Sequence, residues 1–526
     1  MKISLHLLRL ALLLPFVCGL ARAQEISDCN DTVVSSGWNR THGPFNCNGK
    51  IYAMVAIPRL RGQLYVAGDF TSIGGVSAMR VARWDGQAWH AVGDGFDGPV
   101  YALALHNDTL YAGGNFHFSG IKERNFIARL NGNSWAPLGI FPTAEFDNGL
   151  DSTVRALAVM GGNIYAGGEF QYSYDSKFMK RLARWNPLDS TWSSLYEGEL
   201  GGDIVTGVDS TVLALAVVND TLYVAGNFTK AGGKPSGPAR IARWNGGSWT
   251  GLGAGVTVGS GPTSNAYISA LAVDGDNLYV GGNFTLAGGK LARYVAKWST
   301  TGRFWSALGT LDSNGLDSVP SALAVHRSGF GVSGLYATGV FNHAGGDSAN
   351  HVAVWDDTAA RWRNFECGID GPGYALAGVR LTDTTDEMWV GGDFTNAGGR
   401  LSRYLAVYQA LSASVTDTTT DTTTDTTTDT TSSVGYRNRS QLLSVTTLRG
   451  TNGVIELHLL LPEGEKGSIA VDLVDIEGRT VRPLFEGTAS TERLLVPVPP
   501  DVPSGRYLCR VRSQEGVASR PIVLVR

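Results

Sequence analysis

From about residue 50 to about residue 408 the chain repeats one alternation of apolar and polar positions. Residues 213–253, LALAVVNDTLYVAGNFTKAGGKPSGPARIARWNGGSWTGLG, show a complete unit. An apolar run A-L-A-V comes first, then L-Y-V-A-G-N-F, then R-I-A-R-W, then a tryptophan followed by L-G. Short apolar, β-branched and aromatic runs bounded by Gly, Asn and Asp predict strands, so each unit predicts four.

A self-similarity at this period points to a repeat architecture. The first predicted strand is marked by Ala53, Ala102, Ala156, Ala214, Ala270, Ala322 and Ala375, seven units at intervals of 49 to 58 residues. The second carries Tyr65, Tyr111, Tyr165, Tyr223, Tyr279, Tyr336 and Trp389, and the fourth Trp89, Trp135, Trp192, Trp249, Trp305 and Trp362. The seventh unit stops near Tyr408 without a fourth strand. GWNRTHGPFNCNGKIYAM (37–54) aligns with AWHAVGDGFDGPVYAL (88–103), which puts Trp38 in the missing fourth-strand position. Four-stranded units with a permuted end predict a closed seven-bladed β-propeller over 24–411, with a strand near 37–46 completing the last blade. Regularly repeated tryptophans on strands predict packing between blades rather than a carbohydrate platform.

Beyond the repeats, the tract DTTTDTTTDTTTDTT has no apolar side chain to bury, and 412–436 is expected to be a solvated linker. Alternation resumes at VIELHLLL, SIAVDLVDI, RLLVPV and RYLCRVRS, predicting a small β-sandwich over 437–526. The fold class is therefore all-β. Its 68 glycines and 17% charged residues suit an all-β chain dense in turns, and a net charge of −4 argues against a nucleic-acid partner.

Residues 1–23 carry the pattern of a secretory signal peptide: Lys2 and Arg9, the apolar stretch LALLLPFVCGL, and Ala21-Arg22-Ala23 before Gln24. Cleavage would leave no transmembrane segment and an exported chain, secreted or held at a cell surface. Four cysteines would remain, and oxidising surroundings permit disulfides. Proximity in sequence favours Cys29–Cys47. Ring closure would also put Cys47 and Cys367 on neighbouring blades, and Cys509 is expected as a buried thiol.

Candidate chemistry lies in the connections. The tight turns, such as NDT (107–109) and NGG (245–247), carry hairpin residues, while the loops joining second to third strands and one unit to the next are long and variable. Both long sets open on one face, where binding is usually placed. The loops between units are acidic, with basic neighbours such as Lys122 and Lys180. Asn48, Asp97, Asp151, Asp209, Asn265, Asp317 and Asp370 all lie five positions before the marker alanine. A ring of such oxygens would suit Ca²⁺, the one cofactor the residues raise. The alternative is an Asx turn starting each first strand. Asp69, Asn115, Glu169, Asn227, Asn283 and Asp393, with Val340 at the seventh position, form a second set that exchanges too freely for catalysis. No catalytic residue stands out: Glu197 and Glu199 read as solvated loop acids, His117, His343 and His351 are scattered over different units, and no hydrolase motif appears.

Two resemblances follow. Phe228-Thr229 with Gly232-Gly233, Phe284-Thr285 with Gly288-Gly289, and the R-I-A-R-W runs are similar to bacterial propeller repeats of the FT-x-A-G-G type, distantly related to kelch and galactose-oxidase propellers. The copper site of galactose oxidase has no matching ligand set here. VDLVDIEGRTVRPLFEG (471–487), VPSGRYLCRV (502–511) and the terminal RPIVLVR resemble the C-terminal sorting domain of type IX secretion cargo. That resemblance maps its motif onto Asp475, Gly478, Arg479, Ser504, Gly505, Tyr507 and Arg526, and implies the type IX machinery as a partner. The expectation is a non-catalytic module that binds a glycan, envelope or protein ligand at the surface of a bacterium. The alternatives are a polysaccharide hydrolase or lyase and a structural surface-layer component.

Overall fold

The computed structural model describes residues 37–38, 45–139 and 148–409, apart from 175, 198–204, 236–239, 260–264, 311–312, 328–333, 366 and 382–385, together with the strands between 444 and 524. The expected signal peptide at 1–23, Cys29 and the expected linker at 412–436 lie outside the described residues. Contacts divide the chain into two units, 1–417 and 418–526.

All regular elements among the described residues are strands. Sheet 1 runs Ile51–Ala56, Leu64–Gly68, Val81–Trp84 and Trp89–Ala91, antiparallel and in chain order. The same arrangement recurs in sheets 2 to 6, whose first strands are Val100–His106, Val154–Met160, Val212–Val218, Tyr267–Asp274 and Pro320–His326. Sheet 7 has three strands, Gly373–Arg380, Asp386–Gly392 and Leu405–Gln409. Its outer strand meets the N-terminal segment: Trp38 forms an antiparallel bridge with Tyr408, and Gln409 N donates to Gly37 O at 2.8 Å.

The tryptophans pack as the repeat requires. Opposed pairs on third and fourth strands lie 5.2 to 5.8 Å apart between centroids, from Trp185–Trp192 to Trp355–Trp362. Fourth-strand indoles also reach back one sheet: Trp135 Nε1 donates to Val92 O at 3.0 Å, Trp305 to Leu252 O at 3.0 Å and Trp362 to Leu308 O at 3.2 Å. Trp38 Nε1 makes the corresponding bond to Phe365 O at 3.3 Å. A buried indole N–H left without a partner would be destabilising, so these bonds fix the register between sheets.

The paired glycines of A-G-G have a steric reason. They turn the small hairpin between second and third strands, and the first of each pair sits under the fourth-strand indole. Gly288 has φ +58°, and a Cβ there would lie 2.7 Å from Trp305 Cδ1.

The core is a chain of clusters, each spanning two consecutive sheets. Tyr111 packs with Val154 and Ile164, and Tyr223 with Ile268 and Leu278. Another joins the ends of the series: Trp389, Leu405 and Val407 of sheet 7 pack with Ile51, Leu64 and Trp84 of sheet 1.

In the second unit, Ser444–Thr451, Val454–Leu460 and Arg493–Pro497 form one sheet. Thr480–Thr488, Ser468–Val474, Gly505–Ser513 and Gly516–Leu524 form the other.

Candidate functional site

The Asx positions predicted from the repeat have a common role. In six sheets the side chain accepts backbone amides of that sheet's own hairpin, 20 to 26 residues later. Asn48 Oδ1 accepts from Thr71 N and Ser72 N at 2.9 and 3.0 Å. Asp97 takes His117 and Phe118, Asp151 takes Gln171 and Tyr172, and Asp209 takes Thr229 and Lys230, all between 2.7 and 3.1 Å. Asp317 accepts from Asn342 N at 2.9 Å, and Asp370 from Thr395 N and Asn396 N at 2.7 and 2.8 Å. The backbone reciprocates, as in Asp97 N to Phe118 O and Asp370 N to Asn396 O, both 3.1 Å. Each residue clamps the loop entering a sheet to the hairpin leaving its second strand. This differs from an Asx turn, whose partner is the local backbone.

The second carboxylate oxygen is also engaged in several clamps: Asp209 Oδ2 accepts from Thr229 Oγ1 at 2.6 Å and Asp370 Oδ2 from Asn396 Nδ2 at 2.7 Å. Burial opposes ionisation of Asp209, but the Thr229 and Lys230 bonds outweigh it and hold the carboxyl below its usual value. Asp317 is lowered in the same way, with burial opposed by bonds from His343 and Asn342. Among the described residues, no three His, Cys, Asp or Glu side chains come together as a group that could hold a metal ion.

Sheet 5 departs from the pattern. Asn265 is exposed, and Asn283 Nδ2 bonds its carbonyl at 3.1 Å. The clamp is replaced by a two-residue strand, Val256–Thr257, which pairs with Leu286–Ala287. Next to it, a cleft of about 330 Å³ opens between the hairpin regions of sheets 5 and 6, lined by Thr285, Arg293, Tyr294, Asn314, Asp317 and His343. His343, scattered in sequence, meets Asp317 here, with Nδ1 to Oδ2 at 2.8 Å.

The second set also acts through the backbone. Asp69 N bonds Lys50 O, Glu169 N bonds Thr153 O and Asp393 N bonds Pro372 O, at 2.8 to 2.9 Å, and Val340 N bonds Val319 O at 3.1 Å. Because the bond is to the amide, valine serves as well as aspartate. Three of the carboxylates hold cations: Arg80–Asp69 at 3.0 Å, Arg155–Glu169 at 2.8 Å and Lys50–Asp393 at 2.7 Å. The Asp393 bond raises the affinity of the Lys50 amine for its proton.

A third set was not singled out from the sequence. In every one of the seven sheets the pairing of first and second strands shifts register immediately before the marker alanine, between Ile51 and Ala53, Val100 and Ala102, and so on to Gly373 and Ala375. The residues inside these β-bulges are Tyr52, Tyr101, Arg155, Leu213, Ser269, Ser321 and Tyr374. A bulge leaves its extra residue unpaired and re-aims the side chain. Here it brings three tyrosines into a row across sheets 7, 1 and 2: Tyr52 lies 5.6 Å from Tyr374 and 5.2 Å from Tyr101 between ring centroids. Arg155, in sheet 3, continues the row with its guanidinium carbon 4.5 Å from the Tyr101 centroid. All four are only partly buried. The signal available in the sequence was the tyrosine recurring one position before the marker alanine in three units.

The cysteine expectations are corrected. Cys47 is a free, buried thiol, so it pairs with neither Cys29 nor Cys367, and Cys367 is disulfide-bonded. Burial pushes the Cys47 thiol up to about 11, and its Sγ donates to Gly49 O at 3.2 Å. Nearness in sequence misled because Cys47 points into the core shared by sheets 1 and 7. Of the residues that the sorting-domain resemblance picks out, Asp475, Gly478, Arg479, Ser504 and Arg526 lie outside the described residues. Gly505 and Tyr507 fall on the strand Gly505–Ser513, with Tyr507 opposite Ile522. No described helix is long and apolar enough to cross a membrane.

Residues 62–84 match the family described as domain of unknown function (DUF5122) beta-propeller. No curated protein matches the chain. The match and the all-strand structure together indicate a β-propeller protein.

Proposed function

We propose that residues 24–411 form a closed seven-bladed propeller that serves as a non-catalytic binding module, secreted or displayed at a bacterial surface. The observation that carries this reading is the Asx clamp. In six sheets it ties a variable connection to a hairpin, so long loops on one face are held to a rigid scaffold. Closure is supported by the cluster joining sheets 7 and 1 and by the Trp38 bridge to Tyr408. The ligand classes are glycan, envelope and protein. The signal-peptide pattern and the sorting-domain resemblance support export by the type IX machinery, with residues 437–526 as the address.

The test is retention of the mature chain on insoluble polysaccharides and isolated cell envelopes, against a propeller of unrelated sequence as control. Saturable retention is the expected result, and none on any surface would defeat the reading. The export step is tested separately by removing 437–526 in the native host, which should leave the chain in the periplasm.

The cleft between sheets 5 and 6 favours a second reading, a polysaccharide hydrolase or lyase, because it pairs His343 with Asp317 beside Arg293 and Tyr294. Release of new reducing ends from a retained polysaccharide, abolished by His343→Ala, would replace the module reading with this one.

A further inference from the structure

Resting on the binding-module reading, we propose that the seven bulges form its ligand site and that the site takes an uncharged sugar residue of a glycan. The geometry has two halves. Tyr374, Tyr52 and Tyr101 are consecutive around the ring proposed above, and Arg155 extends their row. The other three bulges carry Leu213, Ser269 and Ser321, which are small or aliphatic, and Ser269 Oγ is turned to Pro320 O at 2.6 Å. One run of bulges thus carries an aromatic wall and the other carries small or aliphatic side chains. This asymmetry breaks a repeat that is otherwise kept closely, so packing between sheets does not require it: Ser and Leu occupy the same bulge without disturbing the register.

The charges around the wall select the ligand class. Lys50 is paired with Asp393, Arg155 with Glu169 and Arg80 with Asp69. An anionic ligand would need a cation free of a carboxylate, and a cationic one the reverse. A wholly apolar ligand would cover these ions without replacing their water. A sugar meets both demands: its C–H face lies on a tyrosine ring, and its hydroxyls exchange bonds with ion pairs already held in place. The carboxylates of Glu169 and Asp393 and the ammonium of Lys50 remain more than a third exposed, so they are available for such bonds.

The experiment titrates the full mature chain with soluble neutral oligosaccharides (gluco-, manno- and xylo-series) and with oligogalacturonate and oligoalginate, by calorimetry at low and high salt. Wild type, Tyr52→Ala, Tyr52→Phe and Leu188→Ala are compared, with melting curves to confirm folding. Neutral sugars should bind with little salt dependence, Tyr52→Ala should weaken them about tenfold or more, Tyr52→Phe should recover most of that loss because it keeps the ring, and Leu188→Ala, in the exposed turn between the third and fourth strands of sheet 3, should stay within about twofold. Equal binding by wild type and a folded Tyr52→Ala would overturn the site. Preference for the uronates, falling steeply with salt, would overturn the ligand class. If envelopes retain the chain but no sugar binds, this inference fails while the module stands. If nothing is retained, both fail.

Discussion

Trp38 and Gly398 are in contact across nearly the whole repeat region: a Cβ added to Gly398, which sits at φ +56°, would overlap the Trp38 indole. Gly232 and Trp249 make the same contact inside sheet 4, where they are 17 residues apart. The N-terminal segment therefore reproduces, on sheet 7, the packing that a fourth strand supplies elsewhere.

Replacing Trp38 with alanine should destabilise the repeat region by about 3–5 kcal/mol, since the side chain is fully buried and its Phe365 bond is lost. Gly398→Ala should also destabilise, through overlap and left-handed strain. Denaturant unfolding of the mature chain measures both. Unchanged midpoints in both variants would mean that the N-terminal segment does not hold sheet 7.

The clamp predicts a ranking. Asp209→Ala should lose about 1–3 kcal/mol, because the Thr229 and Lys230 amides lose their acceptor, whereas Asp209→Asn should lose less, as Asn48 performs the same task in sheet 1. EDTA should leave the melting temperature where it is, because amides occupy the oxygens a cation would need. A drop restored by Ca²⁺ would reverse that assignment.

Most of the architecture was legible because it repeats. The marker alanines, the second-strand tyrosines and the tryptophans each recur at one offset, and period-two alternation with Gly-rich turns has a local signature. The clamp was legible as a position but not as a contact. Its partners are backbone amides 20 or more residues away, and an amide has no residue identity to read. The row of tyrosines was missed for a related reason: a bulge is a property of strand pairing, and Tyr52, Arg155 and Ser269 do not look like one set. His343 and Asp317 are brought together only by folding, and Asn265 loses its clamp because a neighbouring two-residue strand replaces it.

Thiol chemistry should separate Cys47 from Cys367. Cys47 should resist alkylation in the native chain and react once it is unfolded, given its burial and a thiol raised to about 11. Non-reducing peptide mapping should recover Cys367 in a disulfide-linked pair. A Cys47-containing disulfide peptide would contradict the fold around sheet 1.

Acid should act in two stages. Burial lowers the proton affinity of His326 and of His351 from the ordinary 6.5; for His326 the Asp386 carboxylate 3.3 Å away only partly opposes it. The unfolded chain therefore takes up these protons first, and stability should fall as pH drops below about 6.5. Asp209, Asp317 and Asp356 have lowered values, so their contribution should hold to about pH 4 and be lost below it. Unfolding midpoints from pH 8 to pH 3 would read both stages, and His326→Gln should flatten the first.

Whether a rigid ring presents a binding site is measured most directly by retention of the mature chain beside a folded Tyr52→Ala, Tyr374→Ala double variant on polysaccharides and envelopes. Saturable retention of the wild type and its loss in the variant are the expected result. Absence of retention in both, or release of new reducing ends by the wild type, would contradict it.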